Sequence, residues 1–295
     1  MVCDAAGAGR RRRERTIAWG PGTRVEFVTT AAGPVLRVAR AGRGAPLLLI
    51  NGLGANLEMW RPFVRQFHAR ELIGFDLPGS GQSARARRPM RMRALCGVVT
   101  ELLDRLGLAR VDVLGYSLGG VLAQELAHRA PGRVRRLVLC ATTPGIPSVP
   151  PNPLVAALML SPARYYSRRL AELIVPVIAG GRTARDRAAL RAGLDQRLVK
   201  PPTPLGYLYQ LYSVWGWSSH PWLRRLRQPT LVLHGDQDPV APLINARWLA
   251  SAIPAGRLAI VRGGGHLFLF DEPATAVAAI DSFLGSREPC HARSS

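Results

Sequence analysis

The run Val111-Asp112-Val113-Leu114 passes without a linker into Gly115-Tyr116-Ser117-Leu118-Gly119, and that pentad opens a helical pattern of Leu118, Val121, Leu122, Glu125 and Leu126. A strand that becomes a helix within so few residues is half of a crossover unit, whose helix packs its apolar stripe back onto the sheet. Small residues on either side of Ser117 allow the sharp bend and leave the hydroxyl exposed at the helix N-terminus. There the unpaired N–H groups and the positive end of the helix dipole favour a negative charge developing on a nearby oxygen.

Further apolar runs repeat the rhythm. Strands are predicted at Val25 to Thr29, Val35 to Ala39, Leu47 to Ile50, Leu72 to Phe75, Val111 to Leu114, Val134 to Leu139, Thr230 to Leu233 and Leu258 to Val261. Helical patterns separate most of them. One places Leu95, Val98, Val99, Leu102, Leu103 and Leu106 ahead of Gly107, and another puts Trp60, Phe63, Val64 and Phe67 on one face. Continuous apolar strands alternating with helices specify the α/β class, with a mostly parallel sheet covered on both faces. Between Leu139 and Thr230 the rhythm stops for about ninety residues, too long for a plain loop in a compact domain, so a helical insertion is expected there. It is Pro-rich at Pro144, Pro147, Pro150, Pro151 and Pro153, and it holds Tyr165, Tyr166, Tyr207, Tyr209, Tyr212, Trp215, Trp217 and Trp222. About half of these aromatics are expected to form the insertion's own core, and the rest to line an apolar slot or face a hydrophobic particle.

A serine hydroxyl becomes a nucleophile beside a base, and the base needs an acid to orient it. Of the six histidines, His68 and His128 lie within helical patterns, His220 in an aromatic segment and His291 in the polar tail. His234 ends a strand and reads as structural. His266 follows Gly263-Gly264-Gly265 beyond the strand ending at Val261 and is the candidate base. For the acid, Leu231-Val232-Leu233-His234-Gly235 runs into a turn containing Asp236 and Asp238. Either could orient the imidazole or merely bond the turn backbone.

Composition narrows the class further. At 295 residues and 47% hydrophobic the chain can bury a substantial core. No apolar stretch reaches the roughly 18 residues of a membrane span. The basic run Arg10 to Arg13 has no apolar segment behind it, so neither a secretory nor an export signal is expected. Cys3, Cys96, Cys140 and Cys290 are widely spaced, with Cys96 and Cys140 in apolar runs. That suits a reducing compartment, the cytoplasm, and offers no metal site. The net charge of +21 comes almost wholly from Arg, Lys200 being the one lysine. Without a helix-turn-helix, zinc-finger or aromatic RNA-binding pattern it does not point to nucleic acid, and an anionic lipid-coated particle fits it equally.

Several of these segments together resemble the α/β-hydrolase superfamily. They are the G-x-S-x-G turn, the chain order Ser117, Asp238, His266, and Asp76-Leu77-Pro78-Gly79-Ser80-Gly81-Gln82-Ser83, which matches a D-x-P-G-x-G-x-S turn. The resemblance implies the α/β-hydrolase fold: a mostly parallel eight-stranded sheet with helices on both faces and a helical cap insertion. It divides the chain into a core at 18–143 and 228–285, a cap at 144–227, and disordered tails at 1–17 and 286–295. It implies a Ser-His-Asp triad of Ser117, His266 and Asp238, because the superfamily's acid follows a strand as Gly-x-x-Asp. It implies oxyanion donors at the N–H groups of Leu118 and Leu53, because Asn51-Gly52-Leu53-Gly54 stands where the superfamily usually has His-Gly. No cofactor or metal is implied.

A closer resemblance is carried by Asn51 to Glu58, Leu158-Met159-Leu160-Ser161-Pro162-Ala163-Arg164-Tyr165-Tyr166, Gly216-Trp217-Ser218-Ser219-His220, Pro229 to Leu233, Pro242-Leu243-Ile244-Asn245 and Gly265-His266-Leu267-Phe268-Leu269. These segments are similar to intracellular medium-chain-length polyhydroxyalkanoate depolymerases, and the likeness runs from about Pro46 to Phe283 through the insertion. It implies hydrolysis of poly(3-hydroxyalkanoate) esters at the surface of cytoplasmic storage granules. The chain departs from that family beside the nucleophile, with Tyr116 in place of Val and Leu118 in place of Trp. A general carboxylesterase or a carbon–carbon bond hydrolase acting on a small apolar substrate stands as an alternative reading. So does a noncatalytic granule-surface binding protein.

Overall fold

The computed structural model describes residues 19–286 apart from positions 21 and 32. The basic run at Arg10 to Arg13, Cys3, Cys290, His291 and both expected tails, Ser286 excepted, lie outside the described residues.

Among the described residues, eight strands form one sheet: β1 (Arg24–Thr29), β2 (Val35–Ala41), β3 (Pro46–Ile50), β4 (Glu71–Phe75), β5 (Val111–Tyr116), β6 (Val134–Cys140), β7 (Thr230–Gly235) and β8 (Gly256–Val261). They lie in the order β1-β2-β4-β3-β5-β6-β7-β8. The pairs β1–β2 and β2–β4 are antiparallel and all the others parallel. All eight predicted strands are present, several one or two residues longer than their apolar runs.

The central strands read as unbroken apolar runs because successive side chains go to opposite covered faces. Along β3, Leu47 and Leu49 pack with Trp60, Phe63 and Phe268 on one face. Leu48 and Ile50 pack with Leu102 and Leu122 on the other. The helices covering these faces are α1 (Arg61–Val64), α2 (Met92–Arg105), α3 (Leu118–Arg129) and, late in the chain, α9 (Leu243–Ala252), α10 (Phe268–Asp271) and α11 (Pro273–Gly285). Helix α2 carries the predicted apolar stripe, and Gly107 follows its end at φ 68°, the left-handed geometry of a helix stop. The helix predicted over Trp60 to Phe67 is a correction: α1 is one turn long, and Phe67 and His68 lie beyond it. Trp60, Phe63, Val64 and Phe67 are nevertheless all buried, with the Phe63 and Phe67 rings stacked at 5.2 Å. Burial, not the helical period, is what their spacing reported.

Between β6 and β7 the chain leaves the sheet and builds α4 (Pro153–Leu160), α5 (Arg168–Ala179), α6 (Gly181–Arg185), α7 (Arg187–Arg197) and α8 (Pro204–Val214). Four of the five helices start on a side chain that accepts from a first-turn N–H: Asn152, Ser167, Asp186 and Thr203. The segment's two ends meet in an antiparallel bridge between Gly145 and Ser218, beside Ser219 N–H to Pro144 O at 2.8 Å. The whole insertion therefore hangs from one narrow stem above the C-terminal ends of the parallel strands.

Candidate active site

Ser117 stands between β5 and α3 with φ 53° and ψ −119°, left-handed backbone that a residue with a Cβ rarely adopts. The flanking glycines make this bend possible by close approach. A Cβ on Gly119 would be driven into the Ile50 carbonyl, and one on Gly115 into the Gly119 carbonyl. The bend is tied down by the Ser117 N–H to the Cys140 carbonyl at 2.9 Å and by the Thr142 hydroxyl to the Ser117 carbonyl at 2.8 Å. Strain at this residue is thus held in place by the neighbouring strand.

The hydroxyl does meet an imidazole: His266 Nε2 lies 3.1 Å from Ser117 Oγ. On the other side of the ring, Nδ1 lies 2.7 Å from Oδ2 of Asp238. Asp238 is 7% exposed, and its Oδ1 accepts from the N–H groups of Val240 and Ala241 at 2.8 and 2.9 Å. Those bonds leave its second oxygen to face the ring. Asp236, the competing carboxylate, accepts from the Gly263 N–H at 2.7 Å and so ties together the turns after β7 and β8. His234 is fully buried, its Nε2 bonded to the Ala241 carbonyl at 2.7 Å, and burial lowers its pKa below the usual histidine value.

Leu118 supplies the first amide of α3, one of those with no acceptor inside a helix. Leu53 lies on the loop after β3, and the peptide joining it to Gly54 is gripped on both sides by the insertion. The Tyr165 hydroxyl donates to the Leu53 carbonyl at 2.6 Å, and the Gly54 N–H donates to Gln210 Oε1 at 2.8 Å. Gln210 also donates to the Pro78 carbonyl and to Ser80 Oγ at 3.1 and 2.8 Å. One amide of α8 therefore joins both loops that the sequence singled out. The histidine loop is held likewise, by the His266 N–H to the Ala179 carbonyl at 2.6 Å. Gly265 and Gly181 allow that approach, since a Cβ on either would enter the other segment's backbone. Sequence reasoning missed Gln210 and Ala179; for Ala179 the paired runs Gly180-Gly181 and Gly263-Gly264-Gly265 were the signal available.

Behind the loops, Arg37 on β2 pairs with Glu58 at 2.6 Å and faces Asp76 at 3.4 Å. Asp76 accepts from the N–H groups of Leu57 and Gln82, and full burial pushes its carboxyl up to about 6. Tyr116 packs at 5.3 Å from the His266 ring, with its phenol held well above the usual value by burial.

A cavity of about 30 Å³ opens at Ser117 and His266, lined also by Leu53, Tyr116, Tyr165 and Arg197. Its volume suits a water or two, not a medium-chain ester. Of the eight aromatics in the insertion, Tyr165 alone lines it. Tyr207 is fully buried, Trp217 and Trp222 pack on the sheet's second face, and Trp215 is 75% exposed. Of the fates expected for these rings, lining the cavity falls to Tyr165, while others pack or, like Trp215, face solvent.

Residues 45–273 match the family model described as the alpha/beta hydrolase fold. The chain belongs to the α/β-hydrolase fold family and is a hydrolase. A poly(3-hydroxyalkanoate) depolymerase of Ectopseudomonas oleovorans is 42% identical over 240 residues, which cover 81% of this chain and 84% of that protein. A 2-hydroxymuconate semialdehyde hydrolase of Pseudomonas putida is 29% identical, over 88% of this chain and 94% of that one. Among solved structures, a hydrolase from Pseudomonas aeruginosa superposes with a TM-score of 0.75 at 26% identity, covering 90% of this chain and all of that one.

Proposed function

We propose that the chain is a serine esterase that cleaves esters of medium-chain 3-hydroxyalkanoates, with Ser117 as nucleophile, His266 as base and Asp238 as the orienting acid. The observation that carries this is the unbroken line from Asp238 through His266 to Ser117 Oγ, opening on a cavity. The polyester substrate is supported by the depolymerase relative.

In this scheme His266 Nε2 takes the Ser117 proton as the oxygen attacks the ester carbonyl, and Asp238 stabilises the resulting imidazolium. The N–H groups of Leu118 and Leu53 receive the oxyanion, each such donor being worth roughly 3 to 4 kcal/mol in related chemistry. His266 returns the proton to the departing alkoxide, and water then releases the acid from the acyl-enzyme. The segment 144–227 acts as a cap that must lift to admit substrate, since the cavity at Ser117 is far smaller than the proposed acyl group. Large apolar side chains left in water concentrate on it, among them Leu173 at 71% and Trp215 at 75% exposed, which suits contact with a polyester granule inside the cell.

The smaller-ester reading is favoured by Tyr116, whose ring fills space beside His266. Comparing granules of medium-chain polymer with short esters separates the two. The test of the scheme itself is Ser117→Ala. Hydrolysis of p-nitrophenyl octanoate and labelling by a fluorophosphonate should both fall by about 10⁴-fold or more, with unchanged circular dichroism. Retained turnover would falsify it.

A further inference from the structure

Two arginines line the cavity beside Ser117, and neither meets a carboxylate among the described residues. Arg164 donates to the carbonyls of Leu158 and Ser161 and to the Tyr207 hydroxyl. Arg197, the last residue of α7, is only 6% exposed. Its guanidinium lies 5.5 Å from the centre of the Tyr165 ring and makes no ion pair or side-chain hydrogen bond among the described residues. Its nitrogens are not among the buried atoms left without a partner, so they open onto the cavity space, and attraction to the aromatic face adds only about 0.5 to 2 kcal/mol.

The surrounding carboxylates are engaged elsewhere. Asp238 faces His266, and Glu58 is paired with Arg37 and stands 3.8 Å from Lys200. Asp186 caps α7, and Asp271 accepts from Thr183. Arg197 also stands at a boundary. With Met59 and Leu267 it lines both the cavity at Ser117 and a second cavity of about 490 Å³ that reaches Val175, Leu190 and Phe270. A planar guanidinium with free donors, set between a reacting hydroxyl and a volume fit for an aliphatic chain, suits a carboxylate bearing an alkyl group.

We infer that Arg197 binds the free carboxylate at the end of a hydroxyalkanoate chain, so that the enzyme releases monomers from that end. This rests on the ester-hydrolase reading given above. The bond that breaks joins the penultimate carbonyl carbon to the 3-oxygen of the terminal unit. His266 protonates that oxygen, and the unit leaves as a 3-hydroxy carboxylate. Water hydrolyses the acyl-enzyme and leaves a chain one unit shorter, ending in a new carboxylate that is the next substrate.

Binding can be read without turnover by calorimetric titration of the Ser117→Ala chain with 3-hydroxyoctanoate and with its methyl ester. The carboxylate is expected to bind at least about tenfold more tightly, and Arg197→Gln in the same background to bring the two within about threefold. Arg197→Lys keeps a charge without the fork and should retain part of the preference. Equal binding of acid and ester by the parent chain overturns the inference whether or not any variant folds, as does an undiminished preference in a folded Arg197→Gln chain. With active enzyme, the 3-hydroxyoctanoate dimer as free acid should exceed its methyl ester at least about tenfold in kcat/KM, mainly through KM. An enzyme that binds the carboxylate selectively but cuts neither dimer, while still hydrolysing p-nitrophenyl octanoate, overturns chain-end cleavage and the polyester substrate together and leaves the esterase scheme standing.

Discussion

At the turn around Ser117 the holding is done by backbone. A strand carbonyl, two glycine contacts and the start of a helix fix one residue in a conformation it would otherwise avoid. Around Leu53 the holding is done by side chains that arrive from more than a hundred residues away, Tyr165 and Gln210. The first arrangement is built into the sheet and cannot relax without breaking it. The second depends on the cap resting where it does, and its local opening should need far less free energy than global unfolding.

The contrast can be broken most severely at Gly119. Replacing it with Ala drives a methyl group into the Ile50 carbonyl, so a loss of about 3 to 5 kcal/mol is expected in urea unfolding. A loss under about 1 kcal/mol would show the turn to be as adaptable as the cap. A second test is electrostatic and separates the loop supports. Asp76 has a folded pKa of about 6, above its ordinary 3.8, so its contribution to stability is present below about pH 4 and is lost as pH rises through about 6. Stability should therefore carry a term that falls by on the order of 3 kcal/mol across that window, and Asp76→Asn should flatten it relative to the parent. The smallest effect belongs to Gln210, a neutral tie that should show no such pH term. Gln210→Ala leaves the Gly54 N–H unpaired at a cost of about 1 to 2 kcal/mol. The expected readout is a roughly tenfold fall in kcat/KM and faster proteolysis within 144–227, with the global melting temperature moved by only a few degrees.

The sheet was legible because burial on two faces leaves a sign any single strand carries: four or more apolar residues in a row, as in Leu47 to Ile50. That Ser117 and His266 would meet was legible because glycine spacing and chain order are written in the sequence itself. Asp238 over Asp236 was not decided by the turn's residues alone. The difference lies in which carboxylate spends its oxygens on the Gly263 N–H, a partner 27 residues away. The cap was legible only as an interruption. Its aromatics look alike in sequence, yet Tyr165 lines the cavity, Tyr207 is fully buried and Trp215 stands in solvent, and these fates depend on how five helices pack. Gln210 carried no signal at all, since an amide in the middle of an apolar helix acquires its importance from two loops over 120 positions earlier.

Because the peptide joining Leu53 to Gly54 is held by Tyr165 and Gln210, movement of the inserted helices is passed directly to the loop after β3. Under the proposed scheme, a guest that lifted those helices would also loosen the loop that carries the Leu53 N–H. A bulky guest that wedged the gap open would then slow the reaction proposed at Ser117 without touching that residue.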